Sequence, residues 1–295
     1  MIASLFDSSA LRSIRPALAG AAVVFALALP VSAHVEKHFN VQGRPVVILQ
    51  DASGHIEIKS WKKQEVLVVG DESSKNVMID TEQAGSRIEV DTQIVDSSAR
   101  AADLQANYVI TVPEETELQI RTESGSIVVE SVHGDLTFET ILGDVNLQDV
   151  GGMLSIKSTE GTIICTRCDG SISAQTVSGN VKLFQPIMDH VTVHTTAGNI
   201  FFDGDFLKHG IYLLKSDTGN TEVRFGKASS FDLTATSVQG TVFNQAKLQP
   251  DKHSHHLKLP KFSTSAAFVS GTYGDGNAKV ELSSFSGTIK ISSRD

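Results

Sequence analysis

Cysteine is nearly absent from this sequence: Cys165 and Cys168 are the only two in 295 residues. A dense disulfide framework of the kind that stands in for a core in small secreted domains is therefore excluded. So is a zinc site built from two cysteine pairs. Aromatic residues are scarce apart from Phe, with one Trp and three Tyr. Helical patterning is missing as well. No stretch keeps apolar residues at i, i+3, i+4 and i+7 over three turns, so no helical layer is expected. Basic residues gather in no run or face, and 34 acidic residues against 25 basic ones leave a formal charge of −9. Nucleic acid is a poor match for such a surface, and none is expected as a partner.

Long apolar runs are limited to one. It extends from Pro16 to Leu29, follows Arg12 and Arg15, and is succeeded by Pro30 and the small residues Val31-Ser32-Ala33. Basic start, apolar middle and small-residue end make a secretory signal, with cleavage expected after Ala33. The run is short for a membrane span, so residues 34–295 are expected to be extracytoplasmic, in the periplasm, at the cell surface or secreted, with no integral span.

What the sequence has in plenty is period-2 alternation, as in Ile56-Glu57-Ile58 and Ile88-Glu89-Val90, together with 23 glycines. From Gly125 the glycines recur every nine residues, at Gly134, Gly143, Gly152, Gly161, Gly170 and Gly179. Two places after them stand Ile127, Leu136, Val145, Leu154, Ile163, Ile172 and Val181. Four places after stand Val129, Phe138, Leu147, Ile156, Cys165, Ala174 and Leu183. The residues between these are mostly polar, which describes strands with one buried and one wet face. A turn every nine residues calls for a residue tolerant of positive φ, and glycine is that residue. Alternate glycines are preceded, three places earlier, by Thr122, Thr140, Ser158 and Thr176, so the full repeat is about 18 residues with two unlike turns. It continues more loosely through Gly198, Gly219, Gly240 and Gly287, each with Ser or Thr three places earlier.

The fold expected is all-β: a flattened β-solenoid of two-strand coils, each about 18–21 residues long. The alternative is an antiparallel β-sandwich or meander, since a strand plus a hairpin turn also repeats in about nine residues. Three parts are expected: the signal at 1–33, an irregular β-rich segment at 34–120 that caps the stack or forms its first rungs, and the repeats at 121–295. A His-rich loop interrupts the last part at 250–260. Calcium-binding nonapeptides are set aside, because only Gly151-Gly152 is a paired glycine.

Candidate sites are few. Cys165-Thr-Arg-Cys168 admits a disulfide across a turn or two buried thiols, and both stay open. His253, His255 and His256 with His190 or His194, and His34 at a new N-terminus, are metal-binding residue types without a ligand pattern. Among the acids, Asp135 and Asp144 follow turn glycines, Glu130 and Glu139 fall on opposite faces, and Asp203-Gly204-Asp205 reads as a turn. No Ser-His-Asp setting, nucleophile elbow or phosphate loop is present. No catalytic, metal or cofactor residue is assigned, no cofactor is expected, and the binding residues are unknown.

Three pieces carry a family resemblance: Gly54-His-Ile-Glu-Ile-Lys-Ser-Trp61, Tyr108-Val-Ile-Thr-Val-Pro113 running on to Leu118 and Gly125, and Gly274-Asp-Gly-Asn through Gly287-Thr-Ile-Lys-Ile. With them the chain resembles the bacterial DUF4097 family of adhesin-like β-repeat proteins over nearly all of residues 34–295. The resemblance implies an extracytoplasmic β-solenoid and transfers no functional residues. The function expected is a non-catalytic, adhesin-like binding or structural module of the bacterial envelope, with an envelope polysaccharide or protein as partner. A β-helix polysaccharide enzyme and an envelope-stress signalling component are the alternatives.

Overall fold

The computed structural model describes residues 33–250 and 267–294. The signal read at 1–33 lies outside the described residues except for Ala33, and so do His253, His255 and His256. The described residues form 21 strands joined in one sheet, mostly parallel, with one 3-10 turn at Ala101–Asp103.

The N-terminal strands are β1 (Ala33–Asn40), β2 (Val46–Trp61), β3 (Glu65–Glu72), β4 (Val77–Ala84), β5 (Arg87–Ile94) and β6 (Ala106–Pro113). The glycine-periodic region holds β7 (Glu117–Glu130), β8 (His133–Gln148), β9 (Gly151–Glu160), β10 (Ile163–Thr166), β11 (Asp169–Thr176), β12 (Val181–Phe184), β13 (Ile187–Thr195), β14 (Ile200–Asp203), β15 (Ile211–Ser216) and β16 (Thr221–Phe225). The chain ends with β17 (Phe231–Ser237), β18 (Val242–Asn244), β19 (Ala267–Tyr273), β20 (Ala278–Ser284) and β21 (Ile289–Ser293).

Register explains the glycine period. Ile163 stands beside Val145 on one side and Val181 on the other, each 18 residues away and parallel. Ile172 stands beside Leu154 in the same way. Hairpins would pair successive segments antiparallel, and this region does not do so. The repeat also begins earlier than the strict glycine spacing: β2 runs parallel to β7 from Val46↔Glu117 to Lys59↔Glu130. Antiparallel pairing is confined to the ends, at β1–β3, β3–β6, β4–β5 and β17–β19.

The apolar residues two and four places after each glycine, from Ile127 to Leu183, are all buried, none more than 3% exposed. Like residues stack on like, as in Val129, Leu147, Cys165 and Leu183. At roughly 1.5–3 kcal/mol per fully buried aliphatic side chain, these ladders are the main favourable term of the fold. Farther on, the repeat lengthens. Asp189 is left out of the β11–β13 register, between Met188 and His190. Twenty-one residues then separate Ile200 from its partner Thr221. The added chain brings Phe206 inward, where its ring lies 4.7 Å from Tyr212 and 4.8 Å from Phe231. Tyr212 is buried, which pushes its phenol up to about 12, and its hydroxyl donates to the Met188 carbonyl at 2.6 Å.

Positive φ is only part of why glycine recurs. Gly125 and Gly161 have φ of 118° and 123°, but Gly143 and Gly179 do not adopt positive φ. At all four, a Cβ would run into the backbone of the glycine one repeat earlier, for example the Gly161 carbonyl oxygen at Gly179. Close approach between stacked backbones is therefore the common requirement, and a left-handed turn is added at some positions.

The Ser or Thr three places earlier serves the same corner. The Gly179 amide donates to Thr176 Oγ1 at 3.0 Å, and Thr195 Oγ1 donates to the Gly179 carbonyl at 3.0 Å. Ser216 makes both bonds itself, accepting from the Gly219 amide and donating to the Gly198 carbonyl, each at 2.8 Å. These hydroxyls are buried and knit one repeat to the next.

The C-terminal order departs from the sequence order. β20 lies between β15 and β17, and β21 lies between β16 and β18. The last repeat in sequence is thus the last but one in space. The crossing is made by Gly274-Asp-Gly-Asn277, whose glycines have φ of 65° and 73°. There the amides of Asp275 and Asn277 both donate to Ser230 Oγ, at 2.8 and 3.2 Å. The motif passes over the start of β17.

Cys165 and Cys168 are joined as a disulfide, with Cα atoms 6.0 Å apart. Cys165 is an inward residue of β10, and Arg167 between them turns with φ of 52°. The bridge closes a very short loop. Loop entropy then limits its contribution to about 2 kcal/mol. Cys165→Ala/Cys168→Val is expected to fold and to lose no more than that in urea unfolding. Failure to fold would assign the bridge a larger part.

Candidate functional site

A groove with a volume of ≈ 710 Å³ crosses the corner that follows the first halves of β2, β7 and β8 and the end of β9. Its lining is a grid set by register. Asp51, Thr122, Thr140 and Ser158 stand side by side in four successive repeats. Before them come Gln50, Arg121, Glu139 and Lys157, and after them Ala52, Glu123, Ile141 and Thr159. Thr92 and Ile94, at the end of β5, complete the lining. Four strands abreast, about 4.8 Å apart, give the grid a length of about 14 Å.

The central row is the hydroxyl column described above, but here its pattern breaks. Thr122 Oγ1 and Ser158 Oγ donate within their own turns, to the Ser124 and Glu160 carbonyls at 2.9 and 2.8 Å. Thr140 Oγ1 has no hydrogen-bond partner among the described residues. At the head of the column an acid replaces the hydroxyl. Asp51 is 6% exposed. Its Oδ1 accepts from Thr92 Oγ1 at 2.7 Å, while its Oδ2 has no partner among the described residues. Thr92 Oγ1 also lies 2.6 Å from the hydroxyl of Tyr108, whose pKa burial raises well above the ordinary phenol value.

Burial raises the pKa of Asp51. Hydrogen bonds from Thr92 and from the Ser53 and Ala52 amides oppose the rise without cancelling it. Protonation therefore favours the folded state. Stability is fully present below the unfolded carboxyl pKa and is lost as pH rises toward the folded one. Asp51→Asn should accordingly be more stable than the parent at neutral pH, with the difference vanishing toward about pH 4. Urea unfolding across that range measures it. A variant less stable at neutral pH would contradict this account of Asp51.

The outer row is charge-compensated. Arg121 Nε lies 2.9 Å and Lys157 Nζ 3.9 Å from the Glu139 carboxylate. Glu123 adds a negative charge on the other side, and Ile94 and Ile141, 41% and 50% exposed, supply apolar surface. No aromatic ring lines the groove.

The other residues singled out from the sequence are dispersed. Glu130 stands beside Gln148, in the second half of β7, away from Glu139. Asp135 pairs with Arg44 at 3.3 Å, and Asp144 accepts from the Thr162 amide at 2.6 Å. Arg294 holds Asp203 and Asp205 together, at 3.3 and 2.5 Å. His190 and His194 each bond a nearby aspartate, at 2.9 and 3.4 Å, and His34 bonds Asp71 at 2.8 Å. Among the described residues no three His, Cys, Asp or Glu side chains are arranged to hold a metal ion. In another depression, lined in part by His133, Glu114 and Asp169, Asp149 and Arg167 form a two-pronged pair at 2.6 Å. Arg167 lowers the Asp149 pKa.

Thr140 was singled out from sequence only as a member of the Ser/Thr repeat, and Asp51 not at all. The signal existed: Asp51-Ala-Ser-Gly54 places an acid three residues before a glycine, where the later repeats place Ser or Thr.

A family model described as Toastrack DUF4097 matches residues 40–292. Solved structures are similar at low identity. A candidate adhesin from Bacteroides fragilis is 10% identical, covering 90% of this chain and 99% of its own, with a TM-score of 0.40. A candidate adhesin from Parabacteroides merdae is 9% identical, covering 90% and 98%, with a TM-score of 0.29. A candidate cell adhesion protein from Clostridium sporogenes is 12% identical, covering 89% and 100%, with a TM-score of 0.25. No curated protein matches.

Proposed function

Since the chain belongs to the Toastrack DUF4097 family, we propose that it is an exported β-solenoid serving as a non-catalytic, adhesin-like binding module of the cell envelope. The groove at Asp51, Thr122, Thr140 and Ser158 is its contact surface. The observation that carries this reading is the groove itself, four repeats wide and lined from three rows of one regular grid. A surface of that shape suits an extended ligand, and its stacked strands hold the contact groups in fixed positions. Export rests on the basic, apolar and small-residue order of residues 1–33. Among the described residues no helix is long and apolar enough to cross a membrane.

The non-catalytic part of the reading is supported by the charges. An acid and a base acting on one bond must both reach it. Here Glu139 is placed between two cations, and Asp51 Oδ2 is shut off from solvent. The test is co-sedimentation of the full chain, exported and processed by its host, with separated envelope fractions. Saturable binding to one fraction is expected. Turnover of a polysaccharide, abolished by a single Asp or Glu substitution, would replace the binding reading with an enzymatic one.

A further inference from the structure

We infer that the groove takes a neutral carbohydrate chain lying across the four repeats, an inference that rests on the binding reading above. Each competing ligand class lacks something the groove would have to supply. A peptide bound by strand addition needs a free sheet edge, but β7, β8 and β9 are each paired on both sides here, and β2 is paired on its other side with β5 up to Gln50 and with β6 from Ile56. A single-stranded nucleic acid needs aromatic platforms and uncompensated cations, and the lining has no aromatic ring. An acidic polymer also needs free cations, whereas Arg121 and Lys157 both face Glu139, with Glu123 and Asp51 adding negative charge. An acyl chain needs an enclosed apolar slot, and this groove is open, with charged and hydroxyl side chains along its length.

A neutral, hydroxyl-rich chain meets what remains. Its hydroxyls can donate and accept along the row Gln50, Arg121, Glu139 and Lys157, where the charged groups have donors and lone pairs left over from their mutual pairing. Its C–H faces can lie on Ile94 and Ile141, the exposed apolar residues of the lining. The central row adds a second, independent mark. Asp51 and Thr140, each 6% exposed, carry the unpartnered oxygens Oδ2 and Oγ1. Buried polar atoms are usually paired, and in the repeats that follow, the same column is hydrogen-bonded at Thr176, Thr195 and Ser216. Of the four such buried oxygens among the described residues, these two lie in the groove lining, and those of Asp203 and Thr221 lie elsewhere. A ligand hydroxyl arriving over Thr140 would give its Oγ1 a partner after a small side-chain rotation; Asp51, two strands away, is not reached by the same hydroxyl.

The test uses the envelope fraction that the full chain sediments with. Periodate, which cleaves vicinal diols, should abolish binding. Protease treatment and a change from low to high salt should leave it intact, because a neutral ligand releases few counterions. Ile141→Glu should weaken binding by roughly tenfold with unchanged melting. Met153→Glu, exposed at the start of β9 away from the groove, should bind as the parent does. Binding that survives periodate but is lost to protease or salt would overturn the carbohydrate inference and leave the binding reading standing. So would an Ile141→Glu variant that binds as the parent does. Binding to no fraction would overturn both.

Discussion

Alanine at Gly179 is expected to cost more than about 3 kcal/mol of folding stability, the upper range for overpacking a filled position. The added methyl would meet the Gly161 carbonyl oxygen and the Thr176 hydroxyl. Neither can yield, since that hydroxyl accepts the Gly179 amide and the carbonyl belongs to the adjoining backbone. Relief would require parting two stacked repeats along both strand ladders. Gly85→Ala is the matched control. Gly85 has φ of 66° and nothing within 4 Å of where a Cβ would stand, so the substitution carries only the left-handed backbone penalty of about 1–2 kcal/mol. Urea unfolding of both variants decides the matter. A loss at Gly179 no larger than that at Gly85 would contradict backbone approach as the cause of the nine-residue glycine period.

Removal of residues 278–295 is expected to release the whole C-terminal end of the stack, at a cost of several kcal/mol. These residues form β20 and β21, which separate β15 and β16 from β17 and β18. Without them Val280, Leu282, Ile289 and Ile291 leave the core, and β17 has no partner on its inner side. An ordinary terminal repeat would be lost singly, because each repeat touches only its neighbours. An inserted repeat takes the next one with it. Amide hydrogen exchange should therefore show Phe231–Ser237 losing protection together with Tyr212–Ser216. Retained protection at β17 would mean that it docks on β15 without help.

The glycine period and the apolar residues two and four places beyond it made the buried ladders legible before any coordinates, because a side chain repeated at one place in every unit can only serve the packing all units share. The same period left parallel coils and antiparallel hairpins both open, and the 18-residue parallel register decides between them. Three features were not legible, each for a physical reason. The inserted order of β20 and β21 depends on a crossing at Ser230 that is remote in sequence. Glycine's role at Gly143 and Gly179 depends on the closeness of a neighbouring backbone, which a φ-based reading cannot see. The groove depends on a row assembled from residues 18 to 71 positions apart, Asp51 among them. Its acid broke the Ser/Thr pattern that would have marked the place. The disulfide, with its Cα separation of 6.0 Å, is favoured by the tight turn at Arg167, which sequence could place but not shape.

The most direct measurement of the account's central claim is hydroxyl-radical footprinting of the full chain, alone and bound to its envelope fraction. Reduced oxidation at Ile94, Ile141 and Lys157, with Met153 and Phe243 unchanged, is the result predicted by binding in the groove. Protection that spares Ile141 and falls on another face of the stack would contradict it.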